Sequence, residues 1–110
     1  MNRFNEYRTM WILVLFDLPT ETKKERRAAS LFRTSLLKDG FKMFQFSIYL
    51  RCCPSRENTI VHTKRVKKLL PESGKVGILS VTDKQFGMME LFYGISKSAL
   101  PGEPRQLTLF

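Results

Sequence analysis

Few side chains in this 110-residue sequence are placed to do chemistry, and Asp17 is the foremost. It closes the unbroken apolar run Trp11-Ile12-Leu13-Val14-Leu15-Phe16 and is followed by Leu18-Pro19. The β-branched and aromatic content of that run suits a strand buried on both faces. Proline cannot donate to a ladder, so the strand ends near Asp17. A carboxylate at the C-terminal lip of a central strand, in an otherwise basic chain, is either a functional group or a residue that hydrogen-bonds its own turn ahead of Pro19. The other candidates are thinner. His62 is the single histidine, and no Cys, Asp or second histidine is grouped with it, so it reads as a residue at the core margin. Cys52 and Cys53 are adjacent, which suits neither disulfide geometry nor, with one histidine, a zinc set.

Charge widens the field beyond Asp17. Nineteen Lys and Arg against ten Asp and Glu leave a formal charge of +9, which favours a polyanionic partner, nucleic acid above all. A hydrophobic fraction of 43% with nine Phe describes a folded domain large enough to bury its own core. With a polar N-terminus, no signal peptide and no apolar run of membrane-spanning length, the chain is expected to be cytoplasmic.

The elements that must position these groups follow from periodicity. Thr22-Lys23-Lys24-Glu25 has capping-box spacing and predicts a helix from Lys23 to about Asp39, with Gly40 past its end. Ala28, Phe32, Ser35 and Leu36 fall on one side of it, flanked by Ala29 and Leu31. The opposite side gathers Lys23, Arg26, Arg27, Ser30, Arg33, Thr34 and Lys38. Those five cations have no acid among them, which suits a phosphate-facing surface better than a mixed solvated face.

Phe41–Cys53 alternates, with Phe44, Phe46, Ile48 and Leu50 on one side, and is long enough to break into two strands near Phe46-Ser47. Ser55 caps a second helix whose inner stripe is Thr59, Thr63, Val66 and Leu70, flanked by His62 and Leu69. Lys64, Arg65 and Lys68 point outward from it, and Pro71 and Gly74 stop it. Lys75–Thr82 is the next strand. Residues 83–87 read as a tight polar connection and Met88–Tyr93 as one more short strand. From Ile95 the composition shifts to Ser, Lys, Pro and Gly, so residues 1–94 are expected to form the domain and 95–110 a flexible tail with an apolar end.

Strand, helix, strand, strand, helix, strand predicts an α+β ferredoxin-like βαββαβ sheet with helices on one face and an extra C-terminal strand. The uncovered face calls for a layer, and a second copy of the sheet is the economical one, giving a homodimer packed face to face. The surplus strand and tail could then add to the partner's sheet edge.

At this point the sequence resembles a known family, the CRISPR-associated protein two family, in its type II-like branch. The resemblance is carried by Val14-Leu15-Phe16-Asp17-Leu18-Pro19, Gly40-Phe41, Gln45-Phe46-Ser47-Ile48-Tyr49-Leu50-Arg51 and Cys53-Pro54-Ser55-Arg56-Glu57-Asn58. It continues through Thr82-Asp83-Lys84-Gln85-Phe86-Gly87 and Phe92-Tyr93-Gly94. Each motif is weak alone; their order and spacing are specific.

The resemblance implies a homodimeric scaffold between dimers of the CRISPR integrase, holding a double-stranded prespacer for insertion into the repeat array. In type II systems the RNA-guided effector nuclease is a further partner. It also implies Mg²⁺-dependent endonuclease activity on RNA or DNA, with Asp17 as metal ligand and catalytic residue, paired across the dimer axis. The two readings weight different residues: the scaffold rests on Lys23, Arg26, Arg27, Arg33 and Lys38, the nuclease on Asp17. A ferredoxin-like RNA-binding or regulatory module is disfavoured, because Phe46 and Tyr49 fall on opposite faces and make no stacking platform. Gln106-Leu107-Thr108-Leu109-Phe110 is similar to the peptide by which replication proteins dock on the sliding clamp. Docking on the dimer partner or the integrase is the competing expectation for this apolar end.

Overall fold

The computed structural model describes residues 8–94, so the expected tail and its clamp-like end lie outside the described residues. The elements are β1 (Met10–Asp17), α1 (Lys23–Lys38), β2 (Lys42–Gln45), β3 (Ile48–Cys53), α2 (Arg56–Lys68), β4 (Lys75–Thr82) and α3 (Asp83–Gly87). The strands form one antiparallel sheet in the order β2-β3-β1-β4. That order is the ferredoxin-like one, produced by two βαβ units whose helices return to the same face.

One core cluster fixes the layers. Met10, Ile12, Val14 and Phe16 of β1 are buried with Phe32 and Leu36 of α1, Tyr49 and Cys53 of β3 and Val66 of α2. The Phe16 ring meets Phe32 edge to face with centroids 5.2 Å apart. Fully burying a side chain of this kind contributes about 1.5–3 kcal/mol, so this seam holds both helices on the sheet.

Both helix starts form as the residues require. Thr22 Oγ1 accepts the Glu25 N–H at 3.1 Å, and Glu25 accepts the Thr22 N–H at 2.9 Å, completing the capping box. Ser55 Oγ accepts the Asn58 N–H at 3.1 Å. The β2–β3 break falls at Phe46-Ser47 as expected, with a register shift between Met43 and Gln45.

Four expectations are corrected. On α1 the buried residues are Ala29, Phe32 and Leu36, whereas Ala28 is exposed; the stripe is turned by one residue so that Phe32 can meet Phe16. On α2 Leu70 is exposed, because the helix ends at Lys68 and Leu70 is beyond its last turn. Residues 83–87 form a one-turn helix instead of a plain connection. Thr82 and Gln85 form a second capping box, which commits the segment to helix. Met88–Tyr93 forms no strand in the single chain: the chain leaves the edge of β4 through α3 without a ladder to join.

β1 is also not buried on both sides. Trp11, Leu13 and Leu15 share the second face with Ile48 and Leu50 of β3 and Leu79 and Val81 of β4, by the strand registers. Leu15 is 38% and Leu79 52% exposed, so an apolar sheet face stands open in the single chain.

Gly74 governs how the chain enters β4. Its φ is +99°, and a Cβ there would lie 2.8 Å from the Asp17 carbonyl oxygen and 2.7 Å from Leu18 Cδ2. Gly74→Ala is therefore expected to cost about 1–3 kcal/mol, lowering the melting temperature by roughly 5–20 °C. Gly77→Ala, with ordinary φ and no neighbour closer than 3.9 Å, is the control and should melt near the wild type. Equal melting of the two variants would show that the Asp17 turn is not held by this approach.

Candidate nucleic-acid interface

Asp17 sits where the sequence placed it, exposed at the end of β1, with Lys75 of β4 as its register partner. The turn beside it is tied down by the Phe16 N–H, which donates to the Ser47 carbonyl at 3.0 Å. The other acids of the final third are elsewhere. Asp83 accepts the Trp11 indole N–H at 2.7 Å, and Phe86 stacks on the Trp11 ring at 4.2 Å. Trp11 and Asp17 are six strand residues apart, about 20 Å. Glu90 comes after α3 in the chain.

The donor set decides how far Asp17 can go alone. Among the described residues no group of three or more His, Cys, Asp or Glu is arranged to hold a metal ion. Mg²⁺ takes six oxygens in near-ideal octahedral geometry but keeps several waters among them, so one or two carboxylates are the usual protein share. A single chain offers Asp17 alone toward that share.

The five expected phosphate-facing cations separate into two groups. Arg26 Nη1 donates to the carbonyls of Thr20 and Glu21, both at 3.0 Å, and so clamps the loop between Asp17 and α1. Arg33 Nε donates to the Phe46 carbonyl at 3.3 Å, with its guanidinium 3.8 Å from the Phe46 ring centroid. These two arginines hold turns. Lys23, Arg27 and Lys38 are exposed, with no hydrogen bond or ion pair among the described residues.

Two of the acids nearby, Glu25 and Asp39, are occupied. Glu25 is consumed by the capping box, its Oε1 also accepting the Glu21 N–H at 3.0 Å. Asp39, at the α1 C-cap, is the centre of a contact that the sequence did not reveal. Its Oδ2 lies 2.8 Å from His62 Nδ1, and its Oδ1 accepts from Arg65 Nη1 at 2.8 Å. Burial pushes the Asp39 carboxyl up, but the hydrogen bonds from His62 and Arg65, with their charges, carry it below its ordinary value.

This corrects the placement of His62, which is buried and partnered by an Asp. The one available signal was spacing: His62 and Arg65, three apart, share a helix face and can share one acceptor. On α2, Lys64, Lys67 and Lys68 are exposed beside them. Two helices thus carry a cationic outer layer, and two of its carboxylates, Glu25 and Asp39, are engaged within the fold.

A ferredoxin-like α+β domain with a cationic helix layer and one exposed carboxylate at its central strand end is the class defined so far. Residues 10–89 match the family described as CRISPR associated protein Cas2. The chain is 63% identical over 108 residues to the "CRISPR-associated endoribonuclease Cas2" of Flavobacterium psychrophilum, covering 98% of this chain and 94% of that one. It is 46% identical over 101 residues to the protein of the same name from Parvibaculum lavamentivorans, covering 92% and 100%. The chain belongs to the Cas2 family of CRISPR systems.

Proposed function

We propose that this protein is a CRISPR adaptation subunit, a homodimeric cytoplasmic scaffold that binds double-stranded prespacer DNA and bridges integrase dimers during spacer insertion. The observation that carries this reading is the helix layer: Lys23, Arg27 and Lys38 project into solvent while Glu25 and Asp39 are engaged inside the domain. Lysines and arginines without interleaved aromatics suit phosphate contacts and not base stacking. The open apolar sheet face supports the dimer, since a second copy would cover Leu15 and Leu79 and leave both helix layers outward.

The second reading is the endonuclease in the relatives' printed name. It is favoured by the exposure of Asp17 at the edge of that open face, where a two-fold axis could bring two copies together. In that arrangement the paired carboxylates would hold Mg²⁺ and the ion would acidify water for attack on a phosphodiester. The effector nuclease and the sliding clamp remain proposed partners of the complex and of the C-terminal peptide.

Duplex titration over a range of salt concentrations tests the scaffold reading. The three free cations of the α1 stripe, six in a dimer, predict a slope of log K against log salt of about −5 or steeper. Absence of duplex binding, or a slope shallower than about −1, would overturn it.

A further inference from the structure

Between the last turns of α1 and α2 lies an open depression of about 400 Å³ lined by Ser35, Lys38, Asp39, Arg65, Lys68 and Leu69. Three of its six lining residues are cations and one is a carboxylate. The carboxylate is not available to repel an anion, because one oxygen is taken by His62 and the other by Arg65. Arg65 is 58% exposed at its side chain, and a guanidinium has five N–H donors, so the ion pair with Asp39 leaves donors directed outward. Lys38 and Lys68 each end a helix, where the partial negative charge of the C-terminal carbonyls favours an ammonium group. Neither has a hydrogen bond or ion pair among the described residues.

We infer that this depression is a phosphate cradle, taking one phosphodiester of the duplex backbone between Lys38 and Lys68. Asp39 is the positioning residue: held by His62, it fixes Arg65 on the rim, so the guanidinium is ordered before the phosphate arrives. Ser35 adds a hydroxyl and Leu69 an apolar side chain to the lining. The cradle couples the two helices into one binding surface, and it brings Arg65 and Lys68 of α2 into contact with the same strand as Lys38. This assignment rests on the duplex-binding reading above.

The test is a salt-dependent duplex titration of the full chain as wild type, Lys38→Ala/Lys68→Ala and Lys23→Ala/Arg27→Ala. The first double variant is expected to lose about one phosphate contact per protomer. That lowers the slope by about 0.9 and the affinity about eight-fold at 0.1 M salt for each cradle engaged. Wild-type affinity and slope in Lys38→Ala/Lys68→Ala, with clear weakening in Lys23→Ala/Arg27→Ala, would overturn the cradle and leave duplex binding standing. A wild type that binds no duplex would overturn both. All substituted side chains are exposed, so unchanged melting is expected and confirms that the comparison is between folded proteins.

Discussion

Lys23→Glu/Arg27→Glu/Lys38→Glu is expected to abolish measurable duplex binding while leaving the fold intact. The three side chains are solvent-exposed and separate from the α1 capping box, whose partners are Thr22 and Glu25. Each phosphate contact contributes about 0.9 to the salt slope. Losing three therefore lowers affinity about 500-fold at 0.1 M salt, and by more when both protomers face one duplex. Reversal adds repulsion to that loss. Arg26 and Arg33 are left unchanged, because their guanidinium groups hold the Thr20-Glu21 and Phe46 carbonyls. A charge reversal that included them would confuse lost binding with a displaced loop. Retained binding in the triple variant, with an unaltered circular dichroism spectrum, would move the interface off α1.

Asp39→Ala is expected to be the most damaging single substitution away from the apolar core. It removes the carboxylate between a buried histidine and an arginine, leaving His62 with no partner for Nδ1. Breaking a buried pair by deleting one member costs about 3–5 kcal/mol. Against a total of roughly 5–15 kcal/mol that is a large share, and the melting temperature should fall by at least about 12 °C. Arg65, largely in solvent, contributes little to this figure.

The same contact sets a pH dependence. The Asp39 carboxyl is held below its ordinary value in the folded chain, so its stabilising effect is complete above about pH 4, where the unfolded group has ionised. It is lost as pH falls through the lower folded value. Asp39→Asn should therefore narrow its gap in stability from the wild type as pH drops from about 5 to 2. A gap that is constant over that interval would show that the ionised Asp39 is not what binds the two helices.

The sequence disclosed what is local. The Thr22–Glu25 capping box, the Ser55 cap and the Gly40 stop are each written within a few residues and form as read. The apolar run of β1 forms the central strand, although with one face buried and not both. Their order was enough to give the ferredoxin-like sheet. Long-range partners were not written there. Nothing near Asp39 announces His62, 23 residues away, because two helices must dock before the pair exists. The failure at Met88–Tyr93 has a related cause: apolar content does not by itself place a segment against a sheet edge, and the capped turn of α3 carries the chain on from β4 without pairing. Of the five cations, Arg26 and Arg33 share the helix face of Lys23, Arg27 and Lys38, and only the loop geometry shows that they also hold carbonyls of the chain itself. Asp17 was legible as a position at the lip of β1. Its chemistry was not, because a lone carboxylate at the end of a strand is compatible with a ligand, a turn residue or half of a symmetric pair.

Asp17→Ala separates these most directly. The variant should first be shown to fold, dimerise and assemble with the integrase. Cleavage of RNA and DNA with Mg²⁺ and integrase-supported spacer insertion are then measured on the same preparation. Insertion is expected to proceed at the wild-type rate, whatever happens to cleavage, because the proposed scaffold holds the duplex through its cationic helices and not through the carboxylate. Collapse of insertion in a complex that still assembles and still binds duplex would contradict the scaffold and make Asp17 chemically required.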